Sequence, residues 1–447
     1  METQPTDREE PVTLTSAELV ERWSGLEEPE ELAAAFHRLE REESDEFFLA
    51  LTAHEQAALL QALPRGERRL WIRLLAPDDA ADVLQKVEAP ELREELLGLL
   101  DEATRREVKA LLAYAEDAAG GLMSPLFARV RPESTADEAI RYLRRQAEGD
   151  LETVSYGYVL DAEQRLVGVV SLRQLITTRG DRKVQDLMTS DVVSVREDTD
   201  QEDVARVFAQ HHLMAIPVLD GEGRLKGIIT ADDIVDVVEE EATEDIQKLG
   251  GMEALDAPYL RTPLLRMVQK RAGWLSALFL GEMLTATAMA RYEDEIARAV
   301  VLALFVPLII SSGGNSGSQA TTLVIRAMAL GELRPVDLLR VLRREVLSGL
   351  LLGCTLGVIG FARIMIWQAL FHTYGEHATR VAITVAVSLV GVVLFGTLAG
   401  SLLPFLLRKL RFDPASASAP FVATLVDVSG LVIYFSVADL VLRGTML

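Results

Sequence analysis

Cysteine is almost absent from this sequence, whose 447 residues include only Cys354. A single cysteine cannot form an internal disulfide, and its apolar neighbours predict a small buried side chain. The opening METQPTDREE is acidic and lacks an apolar core, so we expect no cleaved signal peptide. Basic residues are also scarce, at 45 against 68 acidic ones. A surface this acidic would repel phosphate backbones, which disfavours nucleic acid as a partner and favours cations.

Catalytic patterns are missing as well. The long apolar segments contain no HExxH motif, no serine–histidine pair and no paired aspartates, so we expect no enzymatic activity. His211 and His212 have no cysteine nearby, and we expect them to lie exposed at a helix end.

Charge is divided unevenly along the chain. Residues before Lys270 hold 57 of the 68 acids and 30 of the 45 bases, whereas the remainder is slightly basic. That remainder contains five long apolar segments, and a helix needs roughly 20 apolar residues to cross a hydrocarbon layer about 30 Å thick. One soluble domain could not cover so much apolar surface, which predicts a polytopic membrane domain. The predicted spans are 272–290, 299–325, 346–371, 381–407 and 414–442.

Charges between the spans predict an orientation. The first loop is acidic, with Glu293, Asp294 and Glu295, whereas the second and fourth loops are basic. Because positive residues stay on the cytoplasmic side, we expect a multi-pass protein of the cell membrane, with a cytosolic amino terminus and an outside carboxyl terminus. The basic positions are Lys270, Arg271, Arg326, Arg334, Arg340, Arg343, Arg344, Arg408, Lys409 and Arg411, while Arg363 and Arg443 run against the pattern.

The acidic part combines short helices with a duplication. Residues 1–119 carry leucine or alanine at helical spacing and proline near several helix starts, which predicts an all-helical domain. After Gly120 and Gly121, the string RLVGVVSLRQLI from Arg165 returns as RLKGIITADDIV from Arg224, 59 residues later. Two βαββα units of this kind resemble a tandem pair of cystathionine-β-synthase (CBS) domains over about residues 120–238.

The second repeat is one candidate for a nucleotide-binding site. CBS pairs often hold an adenine nucleotide through a serine or threonine and an aspartate three residues later, which Thr230 and Asp233 match. The first copy has Ser171 but Gln174, so the resemblance implies a single site, with ATP as its candidate ligand. The alternative is a strand-to-helix turn capped by Thr230, with no ligand.

An acidic helix is predicted to join the CBS pair to the first span. Asp233, Asp236, Glu240 and Glu244 recur at three- and four-residue steps, so a helix would place their carboxylates along one face. A solvated acidic face is the usual explanation of such a pattern. The position of this helix, directly before the membrane, favours a functional role instead.

The second span contains the polar string PLIISSGGNSGSQA, residues 307–320. Pro307 removes a backbone hydrogen bond, and Gly313 with Gly314 permits close helix approach or exposed carbonyls. Packing of small residues between helices would explain the glycines but would not explain the presence of Asn315 and Gln319. Their amides are costly in lipid, so we expect them to face protein or water.

The fifth span contains an aspartate, Asp427, near its middle. An isolated carboxylate there costs roughly 3 kcal/mol or more, so it is by default a functional residue. The alternatives are a protonated acid bonded to a neighbouring helix or an ion pair, although the spans offer no base at that depth. Glu282 in the first span is a weaker candidate for a vestibule or an interface.

The order of these features resembles the MgtE family of magnesium channels. The strings PLIISSGGNSGSQ and DPASASAPFVATLVD are similar to that family's two membrane motifs, and the resemblance covers essentially the whole chain. It implies a superhelical amino-terminal domain at 1–119, the CBS pair at 120–238, a linker or plug helix at 239–270 and a five-span pore domain at 271–447. It also implies a homodimer with its pore on the twofold axis.

The resemblance implies two kinds of Mg²⁺ site. In the pore, Asp427 and the carbonyl of Ala423 would bind the transported ion. Regulatory Mg²⁺ would bridge the amino-terminal domain, the CBS pair, the plug helix and the membrane domain. The matching regulatory positions are Glu46, Asp78, Asp82, Asp233, Asp236, Glu241, Glu244, Asp245 and Asp413.

The sequence therefore predicts an Mg²⁺-selective channel or transporter that imports the ion down its gradient and is closed by cytosolic Mg²⁺. Two alternatives stay open. One is a proton-coupled divalent-cation carrier, which the sequence does not separate from a channel. The other is a membrane-anchored nucleotide sensor without transport, which would leave Asn315, Gln319 and Asp427 unexplained.

Overall fold

The computed structural model describes residues 14–443 except 24, 27–28, 150, 256, 258, 261, 294–295 and 297–299. The opening decapeptide and the loop acids Asp294 and Glu295 lie outside the described residues. The chain divides into two compact units, residues 1–240 and 241–447.

The first unit begins with a helical superhelix. Alternate helices pack on one another, α2 on α4, α4 on α6 and α6 on α8, while α5 packs on α7. Trp71 anchors the core, with ring centroids 4.9 Å from Phe36 and 5.3 Å from Phe48. Pro77 and Pro90 occupy the first turns of their helices, as predicted. The helices are α1 Ser16–Trp23, α2 Pro29–Phe36, α3 Arg41–Ala50, α4 Ala53–Ala62, α5 Arg65–Ile72, α6 Pro77–Lys86, α7 Pro90–Leu99 and α8 Glu102–Leu111.

Two βαββα repeats follow, which confirms the predicted duplication. Each forms a three-stranded sheet in the order β1-β2-β3 or β4-β5-β6, with one parallel and one antiparallel pairing. The antiparallel strands pair in the same register in both sheets. Leu160 pairs with Leu166 in the first sheet, and Leu219 pairs with Leu225 in the second. The elements are α9 Ala119–Leu122, β1 Phe127–Val130, α10 Ala136–Gln146, β2 Thr153–Leu160, β3 Leu166–Ser171, α11 Leu172–Thr177, β4 Val195–Arg196, α12 Gln201–His211, β5 Ala215–Leu219, β6 Leu225–Thr230 and α13 Ala231–Leu249.

The two repeats meet through equivalent turns. Leu166 N donates to Gly223 O at 3.1 Å, and Leu225 N donates to Gln164 O at 3.1 Å. Gln164 and Gly223 both have positive φ, at 63° and 79°. His211 and His212 lie exposed at the end of α12, as predicted.

Within its described residues, the second unit contains five helices that are long and apolar enough to cross a bilayer, which confirms the predicted number. The second candidate span is interrupted between its first turn and its main helix. The fifth helix begins at Ala419 rather than at 414, because Pro414–Ser416 forms a 3-10 turn capped by Asp413. The helices are α14 Leu264–Arg291, α15 Val300–Ala303, α16 Val306–Ala329, α17 Leu338–Phe371, α18 Ala378–Lys409 and α19 Ala419–Leu442.

The prediction of a buried Cys354 is wrong, because its side chain is exposed. Buried Gly349, Gly353 and Gly357 of α17 face α18 instead, and a Cβ at Gly353 would lie 2.8 Å from Val390 Cα. Cys354 follows Gly353 in the chain, and its exposed side chain points away from the side that packs on α18.

Candidate functional site

The membrane candidate centres on α19, where Asp427 lies near the middle of an apolar helix. Its side chain is partly exposed, and within the described chain no hydrogen bond or ion pair holds its carboxylate. The alternative of a locked ion pair therefore does not apply to this unit. Ala423 lies one helical turn earlier and is also partly exposed.

Glu282 of α14 lies close enough to Asp427 for their charges to repel. The two helices pack next to this pair, because a Cβ on Gly281 would lie 3.1 Å from Thr424 Cγ2. Glu282 is exposed in this unit. Two acidic groups from neighbouring helices therefore share one region of the membrane domain, where a cation would offset their repulsion.

The glycines of α16 pack against other helices. A Cβ on Gly396 would collide with the carbonyl oxygen of Gly313, and one on Gly400 would collide with that of Gly317. These two GxxxG pairs let α16 and α18 approach at backbone distance. Thr321 Oγ1 also donates to Gly400 O at 3.0 Å. Small-residue packing thus explains Gly313 and Gly317.

Gly314 belongs to a different contact, between α16 and α19. A Cβ at this position would lie 3.5 Å from Ala423 Cβ, and Ser318 Oγ donates to Ala419 O at 3.3 Å. The helices run antiparallel, since Gly313 meets Val426 while Ser318 meets Ala419. The polar motif of the second span therefore lies beside the helix that carries Asp427.

A polar stripe covers the outward face of α16. Asn315 and Gln319 are exposed one turn apart, and no hydrogen bond to either amide occurs among the described residues. Exposed polar side chains at membrane depth need water or another protein surface. The stripe, named here the α16 polar stripe, consists of Ser311, Asn315, Gln319, Thr322 and Arg326.

Pro307 does not interrupt a helix. It occupies the first turn of α16, where a backbone N–H has no intrahelical acceptor in any case. The backbone donor that Pro307 removes therefore lies at a helix start, and the proline marks the beginning of α16.

The second candidate region lies in the first unit, between α6 and α13. Asp78 is 7% exposed, and its Oδ1 atom is buried without a hydrogen-bond partner. Asp233, at the start of α13, lies near enough to act on Asp78 and Asp82 by charge repulsion. An unpartnered buried carboxylate is expensive unless a cation or a proton compensates it.

The pKa values of these acids reflect that environment. Burial, followed by the charges of Asp79 and Glu152, raises the pKa of Asp78 to about 8. Burial and the charges of Asp79 and Asp233 raise the pKa of Asp82 to about 8 as well. Burial raises the pKa of Asp233 to about 6, although hydrogen bonds from Thr230 work against this rise.

At the other end of the α6–α13 contact, a lysine forms ion pairs. Lys86 Nζ, at the end of α6, lies 2.5 Å from Glu116 Oε1 and 3.8 Å from Glu240 Oε1 on α13. The end of α6 is thus joined to α13 by a lysine side chain. At the start of α6, by contrast, acidic side chains face the acidic side chain of Asp233.

Thr230 and Asp233 bond to each other. Thr230 N and Oγ1 donate to Asp233 Oδ2 at 3.0 and 2.8 Å, and Oγ1 also approaches Asp232 Oδ1 at 2.5 Å. Ser171 and Gln174 form the equivalent capping box in the first repeat. This geometry is that of a helix cap, and it engages the groups that would otherwise meet a nucleotide.

The remaining predicted regulatory acids are dispersed. Glu46 lies exposed on α3, and Asp236 lies exposed on α13. Glu241, Glu244 and Asp245 follow on the last turns of α13, all partly buried. In the described residues, no three histidine, cysteine, aspartate or glutamate side chains stand together as a preformed metal cage.

The predicted regulatory positions Asp78, Glu244 and Asp413 differ in whether they suit a cation. Asp78 fits a cation, because its buried Oδ1 has no other partner. Asp413 and Glu244 do not, because Lys248 Nζ contacts both carboxylates and donates to Asp413 Oδ2 at 2.6 Å. Burial opposes the charge of Lys248, but the hydrogen bonds to Asp413 and Glu244 outweigh it and raise the pKa of its ammonium.

Sequence reasoning missed several of these residues. Asp79, Glu152 and Lys248 lie among these acids but do not belong to the predicted set. The PDDAAD string signalled Asp79 directly, and the i,i+4 spacing of Glu244 and Lys248 signalled their pairing. Glu152 carried no local signal, because only the fold brings it near α6 and α13.

Family comparisons cover most of the chain. A model described as a divalent cation transporter matches residues 306–437, and one described as the MgtE intracellular N domain matches residues 14–117. The CBS domain matches residues 119–180 and 184–240.

Curated relatives agree with these matches. The magnesium transporter MgtE of Thermus thermophilus is 45% identical over 369 residues, which are 82% of this chain and 80% of the relative. That of Enterococcus faecalis is 33% identical and covers 94% of this chain and 99% of its own. A solved structure of the cytosolic domain of the Mg²⁺ channel MgtE in complex with ATP is 43% identical, covers 50% of this chain and 90% of that one, and has a TM-score of 0.47. The chain therefore belongs to the MgtE family of magnesium transporters, a family of multi-pass membrane proteins rather than enzymes.

Proposed function

We propose that this transporter is a homodimeric Mg²⁺ channel of the cell membrane, which imports the ion down its electrochemical gradient. The observation that carries this proposal is Asp427, a carboxylate in the first half of an apolar helix with no hydrogen-bond or ion-pair partner in the described chain. A lone carboxylate at that depth is costly and is retained where it serves an ion pathway.

The α16 polar stripe supports a pore shared by two copies. Asn315 and Gln319 would meet lipid in an isolated unit, which their amides disfavour. A second copy and the water between the copies would cover them. Because Gly314 packs beside Ala423, the stripe borders the helix that carries Asp427.

Charge explains the preference for a divalent ion. Two Asp427 carboxylates related by a twofold axis would offer a charge of −2 to a hydrated ion of charge +2. Mg²⁺ binds oxygen and releases its water reluctantly, so the site need not strip the ion. Contacts through water are weak enough to let the ion leave.

Regulation is proposed to use the acids between α6 and α13. Bound Mg²⁺ would neutralise the negative charges of Asp78, Asp82 and Asp233. Without it, their mutual repulsion opens the contact between the helices, and with it the contact closes. Each ion that binds only the closed state adds to the stability of that state, so several weak sites make closure steep in concentration. The further predicted positions Glu46, Asp236, Glu241 and Asp245 would extend this network.

We infer the orientation from the basic loops, so the acidic first unit would lie in the cytosol and sense imported Mg²⁺ there. ATP binding at Thr230 and Asp233 stays a prediction. The cap geometry of these residues favours a structural role, because a nucleotide would have to displace their mutual hydrogen bonds.

Mg²⁺ uptake into liposomes with varied internal and external Mg²⁺ tests the proposal. We expect Asp427→Asn to reduce uptake to the level of protein-free liposomes while dimers still form. Asp439→Asn is the matched control on the same helix, since Asp439 is paired with Arg443, and it should leave uptake intact. Asp78→Asn and Asp233→Asn should transport at low Mg²⁺ but resist inhibition at high Mg²⁺.

Two results would contradict these assignments. Unchanged uptake in Asp427→Asn would remove that carboxylate from the pathway. Unchanged inhibition in Asp78→Asn and Asp233→Asn would remove the α6–α13 acids from regulation. Uptake that requires an opposing proton gradient would favour the coupled carrier.

A further inference from the structure

The end of α13 packs against the start of α19 within the second unit. Leu249 lies against a small buried cluster of Ile325, Ala415 and Ala417. Gly251, with φ +74°, lies so close to the next helix that a Cβ there would be 2.9 Å from Trp274. This close approach leaves the junction little freedom to shift.

Trp274 continues the contact to the first residue before α19. Its Nε1 donates to Ser418 Oγ at 3.1 Å, and the same oxygen accepts from Phe421 N as the helix cap. The cap that starts α19 is thus held by a side chain from α14. Asp427 lies on α19 about two turns beyond that cap.

An ion-paired triad closes this junction. Lys248 Nζ donates to Asp413 Oδ2 at 2.6 Å and also contacts Glu244, one turn earlier on α13. The other oxygen of Asp413 accepts from Ala415 N at 2.8 Å. The three side chains are only 28%, 33% and 38% exposed for Lys248, Glu244 and Asp413, so water screens them less than a surface pair.

The triad competes with a divalent ion at the same place. Two carboxylates alone would offer a charge of −2, but with the ammonium between them they offer −1. An arriving divalent cation would also be repelled by Lys248 at contact distance. The residues at this junction therefore do not suit Mg²⁺, although its two carboxylates match regulatory positions.

We propose that Lys248 is a tethered cation that fastens α13 to the start of α19 at every Mg²⁺ concentration. It is a positioning residue: it holds Asp413 and the capped start of α19 in place. Mg²⁺ sensing would then belong to the α6–α13 acids and not to this junction. The inference rests on the proposed function, because it takes α13 as the element that connects sensing with the pore.

Hydrogen exchange of the full-length protein at low and high Mg²⁺ tests this inference, with residues 244–251 and 413–420 as the reporters. In the wild type, their protection should be the same at both concentrations. In Lys248→Met the junction should exchange about tenfold faster at low Mg²⁺, as expected for loss of a charge-assisted hydrogen bond. High Mg²⁺ should restore protection in this variant, because two unpaired carboxylates can then share a divalent ion.

Three further variants make the result specific. Lys409→Met removes an exposed lysine at the end of α18 and should leave the junction protected at both concentrations. Lys248→Arg keeps the cation and should behave as the wild type. The exchanged pair Lys248→Asp with Asp413→Lys should restore protection that does not depend on Mg²⁺, even if the single substitutions fold poorly.

The inference is overturned if wild-type protection at the junction requires Mg²⁺, or if Lys248→Met exchanges as slowly as the wild type at low Mg²⁺. Mg²⁺ uptake by the same preparations separates this failure from that of the proposed function. A wild type that transports Mg²⁺ with an Mg²⁺-dependent junction refutes only the role of Lys248. A wild type without uptake refutes the proposed function itself.

Discussion

Among the described residues, neither Asp78 nor Asp427 forms an ion pair with a basic side chain, although a sheltered carboxylate usually has one. Asp78 is buried between helices of the first unit with an orphaned oxygen, and Asp427 lies partly exposed on α19. Both positions are costly for the fold, and a cation would offset the cost at each. The two sites are proposed to differ in how long an ion stays bound. An ion at Asp78 would remain bound and regulate transport, whereas an ion at Asp427 would be released as it crosses the membrane.

The pH dependence of the α6–α13 contact follows from the raised pKa of Asp78. The docked state keeps a proton that an exposed aspartate would release, so without Mg²⁺ the contact should be strongest near pH 4 and weaken as pH rises through about 8. Each pKa unit corresponds to about 1.4 kcal/mol. Asp78→Asn should remove only the part of this loss that Asp78 causes, because Asp79, Asp82 and Asp233 still repel one another and keep the contact weak without Mg²⁺.

Hydrogen exchange of α6 in the full chain, in chelator at pH 6 and pH 8.5 and corrected for the intrinsic rate, measures this effect. Glu91→Gln, an exposed acid on α7, is the control and should keep the wild-type pH dependence. Protection of wild-type α6 that increases with pH would contradict the burial of an uncompensated Asp78.

Asn315 and Gln319 should face water in the assembled protein. In a background with Cys354 replaced by serine, Asn315→Cys and Gln319→Cys should react readily with a small water-soluble thiol reagent. Leu351→Cys, exposed on the lipid side of α17, should react at least tenfold more slowly because thiols in lipid remain protonated. Equal rates at Asn315→Cys and Leu351→Cys would show that the α16 polar stripe does not line an aqueous path.

At the scale of elements, the contact between α16 and α18 positions the polar motif of α16. Gly313 and Gly317 meet Gly396 and Gly400 at backbone distance, so no side chain fits between the helices. This contact fixes which face of α16 remains outward. The α16 polar stripe occupies that outward face.

Gly400→Ala should therefore destabilise the membrane unit by about 1–3 kcal/mol, because its Cβ would collide with the carbonyl oxygen of Gly317. Gly360→Ala is the control, since the nearest atom to its Cβ is a movable leucine side chain at 3.0 Å. The thermal unfolding midpoint in detergent should fall clearly for Gly400→Ala and little for Gly360→Ala. Equal midpoints would count against close backbone packing.

Much of this architecture could be predicted from the sequence. Apolar length identified five spans, and the match between Arg165 and Arg224 identified the repeat, because both signals are local or periodic. Side-chain environment could not be predicted in the same way. Cys354 has apolar neighbours along the chain yet lies outside, and the pairing of Lys248 with Asp413 joins residues 165 positions apart. Such contacts depend on helix rotation and tertiary packing.

For the whole molecule, the uneven charge of the chain matches two different functions of its two parts. The acidic part before Lys270 suits a detector of divalent cations, and the nearly neutral remainder suits the bilayer. Helix α13 belongs to both compact units by sequence, since it starts before Glu240 and ends after Glu241. In the proposed mechanism, α13 is the element through which bound Mg²⁺ acts on the membrane domain.

Single-channel recording of the purified protein in a planar bilayer, with Mg²⁺ as the only permeant cation, tests the central claim most directly. We predict discrete Mg²⁺ currents in the wild type and in Asp439→Asn, and none in Asp427→Asn. Mg²⁺ transport without resolvable unitary currents, or currents that persist in Asp427→Asn, would contradict conduction past that carboxylate.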